Sequence, residues 1–99
     1  MPRPDHARDV VVRAEPDEVL LASVAVLRRL GARIVRYDGD AGTLEARLRR
    51  FWRTASIRLR AESDGAGVTR LRVESDALGW GGVFRRFRGG LETLVGQPS

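Results

Sequence analysis

The chain has 99 residues, 42% of them hydrophobic and 31% charged, a balance typical of a globular domain rather than a disordered segment. No window approaches the ~20 consecutive apolar residues of a membrane-spanning helix, and the lack of cysteine excludes disulfides and thiolate metal sites. All 18 basic residues are arginine, giving a net charge of +5, so this excess must be judged by its position on the fold. Because the N-terminus lacks the apolar run of a secretory signal, we expect a cytoplasmic protein.

The first third of the chain predicts a flexible lead-in, a strand and a helix. Residues 1–9 are expected to be the lead-in, and residues 10–95 a single α+β domain. Three β-branched residues at 10–12 favour a short strand. Glu15-Pro16-Asp17-Glu18 then predicts a helix start, because proline is tolerated in a first turn and acidic side chains favour the positive end of the helix dipole. Apolar residues recur at helical spacing up to Gly31, which suits a left-handed cap, so we predict a helix over 16–30.

After this helix the hydrophobic period changes to two. Strands are predicted at 33–37, 43–49, 56–62 and 68–75, with turns rich in aspartate and glycine at 38–42 and 63–67. Such short links predict an antiparallel meander with one solvated face.

An apolar stripe predicts a final helix over 83–95, packed with the first helix on one face of the sheet. Its central Gly89-Gly90 pair costs roughly 1 kcal/mol per glycine relative to alanine, which predicts a kink or an unusually close approach to the sheet. The fold class is therefore α+β, in the order β-α-β-β-β-β-α.

The most distinctive pattern is an arginine-rich outward face on the last three predicted strands. If these strands pair through the predicted turns, Arg60 lies near Arg70, Arg58 near Arg72, and Arg47 near Arg58. Like charges directly opposite destabilise a sheet, so these five arginines predict binding of an anion, such as nucleic acid, a phosphorylated ligand or an acidic protein. The alternative is a solvated face on which glutamates offset the repulsion. No outward position is aromatic, which counts against base stacking by a single-stranded nucleic acid.

Aromatic side chains occupy the ends of the predicted elements. Phe51 and Trp52 join two strands, and Trp80 and Phe84 lie where the last strand leads to the last helix. These four residues either line the mouth of a ligand cleft between helix and sheet or cap the ends of a small core. The first interpretation gives the leading functional hypothesis, a non-enzymatic module that binds a partner protein or a small apolar ligand. Anion or nucleic-acid binding through the arginine face is its alternative.

Catalytic and metal-binding motifs are incomplete in this sequence. His6 is the only histidine, so the serines have no histidine in a folded segment to activate them. Asp38-x-Asp40-x-Gly42 resembles the opening of a calcium loop, but Arg49 occupies the twelfth position, where a ligand is required. We expect no catalytic residues, no metal site and no cofactor.

Three runs, 14–19, 30–35 and 42–46, together with Asp38, resemble a recurrent bacterial pattern. It is similar to domains of the lipoprotein of the outer-membrane β-barrel assembly machine and to a bacterial family of unknown function. The resemblance covers residues 10–75 and implies a helix-grip arrangement, one or two helices packed on an antiparallel sheet. The unknown-function family ends in Asp-x-Gly-x-Asn, whereas this chain has Gly79-Trp80-Gly81-Gly82 and also lacks the lipoprotein's cysteine. The resemblance therefore implies a fold more than a function.

Overall fold

A computed structural model describes residues 6–50, 52–76 and 80–95 of the chain. Its elements are β1 (His6–Val12), α1 (Pro16–Arg29), β2 (Arg33–Asp38), β3 (Thr43–Arg50), β4 (Arg53–Ser63), β5 (Thr69–Ser75) and α2 (Trp80–Val95). This β-α-β-β-β-β-α order confirms the predicted fold class.

The five strands form one antiparallel sheet in the order β1-β5-β4-β3-β2. β2 to β5 make the predicted meander, and β1 joins the edge at β5. Side chains along β4 alternate as expected of a strand with one covered face: Ile57 and Leu59 are buried, whereas Arg58 and Arg60 are exposed. The two helices cover the apolar face and pack on each other, which leaves the arginine-rich face open to solvent.

Local sequence explains both ends of α1. The backbone nitrogen of Glu15 donates to Glu18 Oε1 at 3.3 Å, half of a capping box. At the other end Gly31 has a φ of +92°, and the nitrogens of Gly31 and Ala32 donate to the carbonyls of Arg28 and Leu27. This Schellman motif turns the chain directly into β2.

The predicted strand register is wrong by two residues on each side of β4. β3 and β4 continue to an Arg50–Arg53 pair, so only positions 51 and 52 connect them. The predicted strands 43–49 and 56–62 leave six residues for this connection, and none of these six is a glycine, asparagine or aspartate that would indicate a tight turn. The β4–β5 turn lies one residue later than predicted and is closed by a hydrogen bond from Asp64 nitrogen to Val68 oxygen at 2.8 Å.

Two further differences concern the ends of the fold. β1 begins at His6 rather than Val10, so residues 6–9 of the expected lead-in pair with β5. α2 runs unbroken through its two glycines, and the close approach at Gly90 is to α1 and not to the sheet. A Cβ added at Gly90 would be 2.9 Å from Val26 Cγ1.

Candidate anion-binding groove

A groove of 360 Å³ lies on the outer face of the sheet and crosses β2, β3, β4 and β5. We call it the arginine groove. Its polar lining consists of Arg36, Thr43, Glu45, Arg58, Arg60, Arg72 and Glu74. Three of these seven, Arg58, Arg60 and Arg72, are among the arginines predicted to bind an anion.

One row across the groove brings two arginines together. Arg60 of β4 and Arg72 of β5 are directly opposite, and Thr43 of β3 is opposite Arg60 on its other side. Arg72 is held by two carboxylates: its Nη1 lies 3.4 Å from Asp9 Oδ1, and its Nε donates to Glu74 Oε2 at 3.3 Å. Arg60 forms no ion pair with any residue in the described ranges. Its guanidinium is therefore available to a ligand.

The next row alternates in charge. Arg58 stands between Glu74 of β5 and Glu45 of β3, with its Nη2 3.7 Å from Glu74 Oε1. Arg36 of β2 is opposite Glu45 and has no ion pair within the part of the chain that the structure describes. This row places hydrogen-bond acceptors beside the arginine pair.

The corrected register moves the other two predicted arginines out of the groove. Arg70 is opposite Glu62 and forms ion pairs with Asp9 at 3.6 Å and Asp64 at 3.4 Å. Arg47 is opposite Ser56 on one side and Arg33 on the other. The expected neighbours of Arg58 and Arg60 are corrected accordingly: Arg60 faces Arg72 instead of Arg70, and Arg58 faces glutamates instead of Arg72 and Arg47.

Arg36 and Thr43 line the groove but are not among the residues predicted from the sequence. Arg33 and Arg36 each pair with an outward residue of β3, although three positions separate them, because the register shifts between Ile34 and Arg36. Such an irregularity breaks the period of two on which the outward positions were predicted. In the sequence, the adjacent apolar residues Ile34 and Val35 interrupt the alternation at this point, and in the structure Val35 is 47% exposed.

The four predicted aromatic residues do not share one environment. Trp80 and Phe84 are 2% and 7% exposed, with ring centroids 5.9 Å apart, and belong to the core. The Arg8 guanidinium lies 5.4 Å from the centre of the Phe84 ring, where it covers the end of the core. Trp52 is 83% exposed at the β3–β4 connection, and Phe51 lies outside the described residues. The hypothesis that these four residues line the mouth of an apolar-ligand cleft stays a prediction.

Other kinds of site have little support in the described ranges. No group of three or more metal-ligating side chains occurs within 6–50, 52–76 and 80–95. Neither α1 nor α2 is long and apolar enough to cross a bilayer.

Solved structures of other proteins have the same fold. A chain of the adenylate sensor from AMP-activated protein kinase, solved with 5-aminoimidazole-4-carboxamide ribofuranotide, matches with a TM-score of 0.70 and 21% identity, over 83% of this chain and 93% of that one. The di-domain ARO/CYC BexL of the BE-7585A biosynthetic pathway matches with a TM-score of 0.70 and 14% identity. That match covers 94% of this chain and 46% of BexL, so this chain spans about half of BexL.

These likenesses show the fold alone. No protein-family model and no curated protein sequence matches the chain. Function must therefore be argued from the arginine groove itself.

Proposed function

We propose that this protein is a binding module for a small phosphate-bearing ligand, held in the arginine groove. The observation that carries the proposal is the pair formed by Arg60 and Arg72, two like charges directly opposite each other on neighbouring strands. Such a pair disfavours sheet formation. Asp9 and Glu74 offset the charge of Arg72, and an anion bound between the two guanidiniums supplies the negative charge that Arg60 lacks. The Thr43 hydroxyl, on the strand beyond Arg60, is a further hydrogen-bond donor to the same anion.

The size and chemistry of the groove favour a small ligand. A volume of 360 Å³ lies in the range of about 300–1,000 Å³ that small-molecule sites occupy. Guanidinium groups match the geometry of phosphate oxygens, to which they donate in pairs. The carboxylates of Glu45 and Glu74, in contrast, repel a polyanion laid across the whole face but accept hydrogen bonds from hydroxyl or amino groups. This combination favours the phosphate ester of a hydroxylated or aminated molecule over nucleic acid.

The proposed function is the alternative hypothesis from the sequence, anion binding through the arginine face, and not the leading hypothesis of a module for a partner protein or an apolar ligand. An apolar ligand at Trp80 and Phe84 must displace residues of the core, whereas Arg60 is exposed and open to an anion. We propose the cytoplasm as its location, since a chain without cysteine fits a reducing compartment. The resemblance to the outer-membrane assembly lipoprotein stays a prediction.

Calorimetric titration with matched probes tests the proposal. Suitable probes are inorganic phosphate, a nucleoside monophosphate and the corresponding unphosphorylated nucleoside. The ribofuranotide present in the adenylate-sensor structure is a convenient additional nucleotide. We expect the phosphorylated probes to bind, with an affinity that falls as salt is raised, and the nucleoside not to bind. Equal affinities for nucleoside and nucleotide would contradict the proposal.

Two matched variants locate the binding. Arg60→Gln removes the unpaired guanidinium and is expected to weaken nucleotide binding about 10- to 100-fold, because a hydrogen bond between charged groups contributes a free energy of this size. Arg86→Gln makes the same charge change on an exposed position of α2 and is expected to leave the affinity within about twofold, since only long-range charge is lost. Removing the competing carboxylate with Asp9→Asn is expected to tighten binding. If Arg60→Gln and Arg86→Gln have equal effects, the ligand does not lie in the arginine groove.

A further inference from the structure

The β3–β4 hairpin projects beyond the rest of the sheet. Its strands pair as far as Arg50 and Arg53, whereas β2 begins opposite Arg47 and β5 ends opposite Ile57. The hairpin therefore extends three residues past β2 and four past β5, or about 10 and 13 Å at the usual rise of a strand. Trp52 lies at its apex with 83% of its surface exposed.

Arginines outnumber acids around this apex: Asp76, just past the end of β5, lies at this end of the sheet, and its Oδ1 accepts a hydrogen bond from the Ser56 nitrogen at 2.9 Å. We call Arg33, Arg47, Arg49 and Arg53, together with Trp52, the basic hairpin end. All four arginines are exposed, and none has an ion pair within residues 6–50, 52–76 and 80–95. Arg33 and Arg47 are directly opposite each other, an arrangement that destabilises a sheet without an external anion.

The opposite end of the sheet is acidic. Asp38 ends β2 and Glu62 lies one residue before the end of β4, while Asp40 and Asp64 lie in the turns that follow these strands. Arg70 offsets one of these four carboxylates, that of Asp64. The first turn of α1 adds two acidic residues at this end, whereas its last turn, which leads to β2, carries Arg28 and Arg29. The molecule is thus polarised along its strands, with the hairpin tip at the positive end. Such a charge distribution orients a protein towards a negatively charged surface.

Turn geometry does not explain a tryptophan at this position. Two-residue connections between antiparallel strands favour asparagine, aspartate and glycine. Exposing the apolar indole ring of Trp52 to water does not stabilise the fold. An indole flanked by arginines is, however, the composition found where proteins meet the headgroup region of a bilayer. There the ring enters the interface, while arginines keep their charged ends among lipid phosphates.

We propose that the basic hairpin end docks the protein on an anionic lipid bilayer. Charge complementarity identifies the occupant, and the shape of the surface favours lipid over nucleic acid. A projecting tip meets a flat surface, whereas single-stranded nucleic acid is bound along a groove with several stacking aromatics. The outward positions of β3, β4 and β5 that the structure describes hold no aromatic residue. The inference is independent of the ligand proposed for the arginine groove.

Vesicle sedimentation and tryptophan fluorescence test the docking. The full chain is mixed with vesicles of phosphatidylcholine alone or of equimolar phosphatidylcholine and phosphatidylglycerol. We expect binding only to the anionic vesicles, with a blue shift of the emission that disappears in Trp52→Ala while the emission of buried Trp80 remains. Equal binding to both kinds of vesicle, or a shift that survives Trp52→Ala, would overturn the proposal.

Paired charge variants separate docking from a general effect of net charge. Each arginine near an anionic surface contributes about 1 kcal/mol, or roughly a fivefold change in partition, so Arg49→Gln with Arg53→Gln is expected to weaken vesicle binding about 25-fold. Arg85→Gln with Arg86→Gln on α2 removes the same charge and is expected to change it less than about threefold. Equal losses in the two double variants would refute the assignment to the hairpin.

Two further arms distinguish this site from nucleic-acid binding and from the groove. If a single-stranded oligonucleotide binds the hairpin more tightly than the anionic vesicles do, the basic hairpin end is a nucleic-acid site and the lipid proposal is overturned. Arg60→Gln is expected to leave vesicle binding within about twofold, as this residue lies outside the basic hairpin end. Loss of nucleotide binding with intact vesicle binding, or the reverse, therefore shows which of the two proposals has failed.

Discussion

Two arginines on one face of β4 have opposite electrostatic surroundings, so reversing each charge is expected to change the stability of the fold in opposite directions. Arg60 is opposite Arg72 and an uncharged residue, whereas Arg58, two positions earlier, is opposite Glu74 and Glu45. Both are exposed and occupy the same strand. Strand propensity and the solvation of the side chain are thus nearly the same for Arg60→Glu and Arg58→Glu.

The expected magnitudes follow from the number of charge pairs that each substitution reverses. A directly opposed pair on an exposed sheet face contributes roughly 0.2–1 kcal/mol, with the sign set by the charges. Arg60→Glu converts one repulsive pair into an attractive one and is expected to raise the free energy of unfolding by about 0.5–1 kcal/mol. Arg58→Glu converts two attractive pairs into repulsive ones and is expected to lower it by about 1–2 kcal/mol. For a chain of this length, 1 kcal/mol corresponds to about 4–8 °C in Tm.

Thermal unfolding followed by circular dichroism, at low and at high salt, measures both effects. We expect Arg60→Glu to raise Tm and Arg58→Glu to lower it, and both changes to shrink as salt screens the charges. The same Arg60→Glu variant is expected to lose nucleotide binding, so that stability rises as the proposed function disappears. A decrease in Tm for both variants would refute the register, and with it the argument that Arg60 and Arg72 form a repulsive pair.

Two glycine pairs give further predictions. Gly42 and Gly67 have nearly equal φ values of 73° and 71°, but a Cβ at Gly42 would lie 2.7 Å from the Ala61 carbonyl oxygen, whereas Gly67 has nothing within 4 Å. In both alanine variants the left-handed backbone costs about 1 kcal/mol. In urea denaturation we expect Gly42→Ala to lose more stability than Gly67→Ala, because only Gly42→Ala adds a clash. Equal losses of stability would contradict the close contact at Gly42. In α2, Gly89 faces open space and Gly90 lies against α1, so Gly89→Ala is expected to stabilise by up to about 1 kcal/mol and Gly90→Ala to destabilise. Stabilisation by both would show that the close contact between the helices does not constrain Gly90.

Local patterns in the sequence were sufficient for the fold class. Pro16 and Gly31 mark the ends of α1 because a first turn tolerates a missing N–H and a Schellman cap needs a positive φ. The strict alternation of Ile57 and Leu59 with arginines requires a strand with one covered face. These are constraints within one element, which a residue and its near neighbours determine without reference to the rest of the chain.

The charge partners of the arginines were decided only by the tertiary structure. A shift of two residues in register keeps every side chain on its face, so the hydrophobic pattern cannot distinguish Arg70 from Arg72 as the neighbour of Arg60. The connection at positions 51 and 52 has no glycine or asparagine to reveal a tight turn, and the irregularity after Ile34 moves Arg36 to the outer face. The arginine groove therefore depends on the register in which the consecutive strands β2 to β5 pair. In a hairpin the length and geometry of the connection fix that register, and the residues at these connections do not reveal them.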